Sequence, residues 1–292
     1  MRRPVTGSRP GPPDPRREPE QPELPGMPDR LVVATPSRLD AFADCPRRYR
    51  FAYLDRPTPP KGPPWAHNSL GASVHTALRN WYEVPVAQRE PGLAPVLLKA
   101  TWVREGYRDL PQERAAWRRA LGWLDSYLPG MPAEPVGVER VVAARTPVMA
   151  FHGRADRIDA RPGEPALVIV DYKTGRRAPD PDDARGSLAL ALYAFAAGQV
   201  FRRTCRRVEL HHLPTGTVAA AELTEVAVTR QVGRAEATAT DIRAAERELA
   251  AGADPDDAFP AAPGPRCGWC DFRRACPAGR KLPGKEPWGA LP

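Results

Sequence analysis

Ala166-Leu167-Val168-Ile169-Val170-Asp171-Tyr172-Lys173 is the stretch that decides the fold. Its five leading apolar residues read as a buried β-strand, and the strand ends in residues that resist burial. Side chains alternate across a strand, so Asp171 and Lys173 leave one face while Tyr172 leaves the other. A carboxylate and an ammonium then share one edge. Such a pair can hold a divalent metal and orient a water or steady a phosphate charge, as phosphodiester hydrolysis requires.

Upstream, Phe151-His152-Gly153-Arg154-Ala155-Asp156-Arg157-Ile158 is separated from this strand by the turn-forming stretch from Asp159 to Pro165, which contains Pro162-Gly163. The two segments read as a hairpin. A turn near Pro162-Gly163 places Asp156 within a residue or two of Asp171, close enough for both carboxylates to bind one hard cation. Asp159 reads as a turn residue bonded to the backbone. Residues 136–145 form the preceding strand, where Glu139 is a solvent-facing glutamate by default and, beside the acidic strands, an auxiliary holder of a water or second ion.

Helical spacing of Leu70, Val74, Leu78, Trp81 and Tyr82 predicts a helix from about Ser69 to Glu83, with His75 at the edge of its apolar stripe. That position suits a core-edge histidine satisfied by hydrogen bonding. Beside two carboxylates and a lysine it suits a metal ligand. Further helices are predicted over 111–128, 186–201 and 226–251, and a strand pair over 208–213 and 217–223. The expected architecture is one α/β core, a short mixed sheet flanked by helices, with a helical insertion between His75 and the strands.

The chain has 292 residues and 42% hydrophobic content, enough for a substantial core. Its net charge of +8 is carried mostly by arginine and favours an acidic partner, nucleic acid first. Residues 1–30, rich in Pro, Arg and Glu, read as a disordered tail, 31–281 as the folded domain and 282–292 as a flexible end. Neither a signal peptide nor a run of about eighteen apolar residues occurs, so a soluble cytoplasmic protein with no membrane partner is expected. With no phosphate-loop motif in the sequence, any helicase partner is expected to be a separate subunit.

Cys267, Cys270 and Cys276 follow C-x2-C-x5-C spacing, which in a reducing compartment suits metal ligation better than disulfides. Cys45 is the natural fourth ligand and Cys205 a spare thiol. Four thiolates fit zinc and a four-iron cluster alike, with ordinary unliganded thiols as the plain alternative. Either centre would staple the two ends of the chain together. It would also gather Arg38, Arg47, Arg48, Arg50, Arg273 and Arg274 into a basic rim, while Arg202, Arg203, Arg206 and Arg207 form a second basic cluster suited to a phosphate backbone.

Taken in order, Ser37-Arg38-Leu39, Cys45-Pro46-Arg47-Arg48-Tyr49, Gly71-Ala72-Ser73-Val74-His75, Gly153-Arg154-Ala155-Asp156-Arg157-Ile158-Asp159, Val170-Asp171-Tyr172-Lys173-Thr174-Gly175 and the cysteine tail resemble the PD-(D/E)XK nuclease superfamily. The likeness is to its RecB/AddB-like branch with a restriction-endonuclease-like core. The resemblance implies a Mg2+- or Mn2+-dependent deoxyribonuclease, with exonuclease action expected, serving DNA repair, recombination or defence. It further implies His75, Asp156 and Asp171 around the metal, Lys173 as the catalytic lysine, and Cys45, Cys267, Cys270 and Cys276 on a [4Fe-4S] cluster with Zn2+ as the alternative. Related nucleases carry Gln-x-x-x-Tyr on the next helix. Here Tyr193 is present as an auxiliary residue, but Ala189 replaces the glutamine, which keeps open a non-catalytic DNA-binding subunit as the competing reading.

Overall fold

A computed structural model describes residues 31–161 and 163–291. The expected disordered tail 1–30 and Pro162 of the expected turn lie outside the described residues. The chain opens with β1 (Val32–Ala34), α1 (Pro36–Asp44), α2 (Pro46–Tyr53), α3 (Ala66–Glu83), α4 (Ala94–Thr101) and α5 (Leu110–Tyr127). There follow β2 (Gly137–Arg145), β3 (Met149–Ala160), β4 (Ala166–Lys173), α6 (Pro181–Gly186) and α7 (Leu188–Phe201). It closes with β5 (Thr204–His212), β6 (Thr217–Glu222), α8 (Glu225–Ala250), α9 (Pro255–Ala258) and α10 (Pro277–Arg280).

The strands form a mixed sheet in the order β1-β3-β4-β5-β6, with β2 also paired to β3. The long strand β3 carries antiparallel β2 along one edge. Its other edge is shared between parallel β1, at Met149–Phe151, and antiparallel β4, at Arg157–Ala160. β4 and β5 run parallel, so the chain must cross over between them, through α6 and α7.

β4 is covered from both sides. Leu167 and Ile169 enter a core shared with α1, α7 and α8, whereas Val168, Val170 and Tyr172 enter a second core with α3, α4 and α5. Burial on both faces is why its sequence is a continuous apolar run and not an alternation. α7 is apolar around its circumference because it is sandwiched between the sheet and α8. It starts where the Ser187 hydroxyl accepts the Leu190 N–H at 3.3 Å, and α5 starts where Asp109 accepts the Gln112 N–H at 2.8 Å. The mixed sheet with helices on both faces is the expected restriction-endonuclease-like arrangement, and α4 with α5 supplies the helical insertion.

Several local expectations shift. Asp159 lies inside β3 and not in the turn, since β3 and β4 stay paired out to Ala160 and Leu167 and the connection closes with Arg161 N–H to the Ala166 carbonyl at 2.9 Å. There Asp159 accepts from the buried Arg157 guanidinium at 3.0 Å. The segment after Lys281, expected to be flexible, packs on the body: Arg176 Nε reaches the Leu291 carbonyl at 2.5 Å, and Leu291 is buried. Half of the second basic cluster is paired internally, Arg206 with Glu225 and Arg207 with Glu209 and Glu222. Among the described residues no helix is long and apolar enough to cross a membrane.

Candidate active site

Strand register brings three acidic residues into one row. The β2–β3 ladder aligns Val138 with Arg157 and Arg140 with Ala155, which sets Glu139 across from Asp156. The β3–β4 ladder aligns Arg157 with Val170, and its next step sets Asp156 across from Asp171. His75 reaches this row from α3, its Nδ1 standing 3.3 Å from Asp156 Oδ2. One ligand atom each from His75, Glu139 and Asp156 lie within 4.8 Å of one another, so an imidazole and two carboxylates could hold one divalent cation. Glu139 has φ of +46°, a left-handed conformation unusual for a residue other than glycine, and Arg154 Nε meets its carboxylate at 2.7 Å.

Asp171 stands outside that group. The expected set was His75, Asp156 and Asp171. Asp171 adjoins Asp156 in the row, its carboxylate 2.5 Å from Lys173 Nζ, while Glu139 joins His75 and Asp156 within 4.8 Å. Residues of the row open into a cavity of about 510 Å³ lined by His75, Glu139, Asp156 and Lys173, with Arg79 and Arg154 on its wall. The loop after β4 is pinned by His212, whose Nε2 donates to the Gly175 carbonyl at 2.7 Å. Gly71 allows α3 to approach that loop, for a Cβ there would meet Thr174 Oγ1 at 3.1 Å.

Burial, together with the neighbouring Asp156 charge, pushes the Glu139 carboxyl above its ordinary range, although Arg154 opposes the shift. Burial likewise raises Asp171 in spite of Lys173, with Asp156 adding to the rise. Asp156 moves the other way: burial is outweighed by the His75 hydrogen bond and charge, the Tyr172 N–H and Lys173. His75 is raised in turn, burial being outweighed by Asp156, Asp171 and Glu139. Desolvation is thus what raises Glu139 and Asp171, a cost that a divalent cation bound to the row would offset.

Tyr193 on α7 lies behind the row, its ring 6.3 Å from that of Phe151, and burial with the Asp171 and Asp156 charges pushes its hydroxyl up to about 12. Gly153 exists to admit this ring. A Cβ on Gly153 would overlap Tyr193 Cε1.

Cys45, Cys267, Cys270 and Cys276 line a separate cavity of about 350 Å³, so the fold does bring the distant cysteine to the tail. None of them forms a disulfide. Four thiolates on one zinc, at bonds of about 2.3 Å, stand roughly 3.8 Å apart. Among the described residues no three of these sulfurs come within 4.8 Å of one another. Cys205 lies apart, buried on β5, where burial pushes its thiol up to about 12. Arg47 and Arg50 near Cys45 pair with Asp256. His67 and Asn68, which the sequence does not single out, wall both cavities from the start of α3. Their only sequence signal is their place two turns before His75.

A family model for the PD-(D/E)XK nuclease superfamily matches residues 33–277. Among solved structures, one similar chain is a candidate exonuclease from Eubacterium rectale, 12% identical, with a TM-score of 0.43 over 73% of this chain and 80% of that one. No curated protein matches the chain.

Proposed function

The chain belongs to the PD-(D/E)XK nuclease superfamily, and from that premise we propose that it is a RecB-like DNA exonuclease that works with Mg2+ or Mn2+ held by His75, Glu139 and Asp156. The observation that carries this reading is the convergence of those three side chains with Lys173 in one cavity. A divalent cation bound there supplies Lewis acidity, lowering the pKa of a bound water and neutralising phosphate charge. The protein's own groups do the rest. Tyr172 N–H fixes Asp156 at 2.9 Å, Asp171 holds the Lys173 ammonium, and that ammonium steadies the attacking water or the charge developing on phosphate. Arg79 and Arg154 on the wall receive the DNA backbone.

The replacement of the family glutamine by Ala189 favours the second reading, a DNA-binding subunit without catalysis. The half-buried row argues against it, because clustering Glu139, Asp156 and Asp171 raises two of their pKa values and costs stability that a purely structural fold has no need to give up. For the cysteines, the single shared cavity supports one metal centre held by all four thiolates, a [4Fe-4S] cluster by the family resemblance with Zn2+ as the alternative.

Digestion of end-labelled linear DNA and of closed circular DNA with Mg2+ or Mn2+ tests activity and mode together. Loss of the end-labelled substrate with survival of the circle is expected. No cleavage of either would favour the non-catalytic subunit, and cleavage of the circle would make the enzyme an endonuclease.

A further inference from the structure

Away from both cavities described above, α4, α5 and their connection enclose a groove of about 660 Å³. Its walls carry Lys99, Arg104, Arg114 and Arg118, all exposed, and two indoles, Trp102 and Trp117, both half-buried. Glu113 is the only carboxylate on the lining, and it is engaged: Trp102 Nε1 donates to it at 3.1 Å and Arg104 Nε lies 3.6 Å away. Among the described residues Lys99, Arg114 and Arg118 have no carboxylate partner. Arg114 and Arg118 are one turn apart on α5, so two guanidinium groups stand in line beside the Trp117 ring.

The Trp102 indole is held in place. It stacks on Tyr107 with centroids 5.8 Å apart and planes at 13°, and its N–H is tied to Glu113. The segment that bears it is stapled to α3, since Thr101 Oγ1 donates to the Ser73 carbonyl at 3.0 Å and Val103 N–H donates to the Ser73 hydroxyl at 2.9 Å. Ser73 precedes His75 by two residues on the same helix.

Resting on the nuclease reading, we infer that this groove is a platform for a single-stranded DNA segment of the substrate. Three cations without a carboxylate partner beside the Arg104–Glu113 pair suit a phosphate backbone. Indoles suit unstacked bases, whose π-faces are available only in a single strand, whereas a duplex hides them in its own stack. A platform tied to the helix of His75 would hold a strand in a fixed relation to the acidic row.

The test is fluorescence anisotropy of a labelled oligothymidylate with the full chain in chelator, so that no cleavage intervenes. Arg114→Glu, Arg118→Glu and, as an independent probe, Lys99→Glu are compared with Arg230→Glu on α8, an exposed arginine outside the groove whose reversal changes net charge equally. Each groove variant should weaken binding about tenfold and lower the slope of log affinity against log salt by about 0.7 for each phosphate no longer neutralised. Groove variants that bind like Arg230→Glu overturn the platform, as does a weakening confined to duplex DNA. The cleavage assay above tests the nuclease reading separately. Weakened binding by groove variants of a chain that cleaves nothing would leave the platform standing and remove the enzyme.

Discussion

The backbone N–H of Tyr172 donates to Oδ2 of Asp156 at 2.9 Å, and His75 Nδ1 approaches the same oxygen at 3.3 Å. Both interactions load one side of the carboxylate. Oδ1 is left without a protein partner among the described residues, and the strand that supplies Asp171 and Lys173 is thereby what orients the acid of its neighbour. The cation site is a product of strand pairing.

Lys173 is exposed and Asp171 is its half-buried partner, so removing either changes charge where phosphate would sit without emptying a core. Lys173→Ala should lower DNA cleavage by about 10²-fold or more, the scale of losing one charge-stabilising donor, with a melting temperature close to wild type. Asp171→Ala should do the same. Wild-type turnover in both purified variants would remove Lys173 and Asp171 from the mechanism.

Gly153 should not tolerate a methyl group. With Tyr193 Cε1 overlapping the added Cβ and Phe151 Cζ 3.3 Å from it, Gly153→Ala forces the rings apart and should cost about 1–3 kcal/mol in denaturant unfolding. Shortening the obstacle should restore part of that stability, so Gly153→Ala with Tyr193→Leu should be less unstable than the sum of the single changes. Simple additivity would contradict the close approach of the two residues.

Acid stability has a local source in Glu209. It accepts from His211 Nε2 at 2.8 Å and from Arg207 Nε at 2.6 Å, and these bonds, the His211 bond foremost, hold its carboxyl at about 2 against burial. Because the folded value lies below the ordinary 4.5, the group stabilises the fold above pH 4.5 and loses that contribution as pH falls toward about 2. The urea midpoint of wild type should fall across this window, and Glu209→Gln should start lower and fall less. Parallel curves for the two proteins would exclude the assignment.

The cysteine cavity predicts a brown protein carrying about four iron and four labile sulfide per chain. Cys276→Ser should bleach it and make the tail that follows Pro265 susceptible to protease, since that tail lines the cavity opposite Cys45. Colourless protein with one zinc per chain would replace the cluster.

Much of this arrangement is legible in the sequence. The apolar run of β4, the Asp171/Lys173 alternation and the approach of Asp156 all follow from period-two geometry and a hairpin, and the helix of His75 from its apolar spacing. Glu139 is the residue whose weight the sequence hides. Register arithmetic extended through the turn at Thr146–Met149 sets it across from Asp156, but its left-handed backbone carries no sequence signature. The short β1 and α4 escape sequence reasoning because each owes its form to packing, β1 to three pairs with β3 and α4 to the core around Leu97 and Leu98. Asp159 reads as a turn residue in the sequence because its partner Arg157 is a tertiary fact of a buried cluster.

The most direct test of the cation site is Mn2+ binding, followed by electron paramagnetic resonance, to wild type, Asp156→Asn and Glu139→Gln. A bound ion is expected in wild type, with affinity lowered by about 10–100-fold in Glu139→Gln and no specific binding in Asp156→Asn. Equal binding by all three proteins would contradict a site built from these two carboxylates and His75.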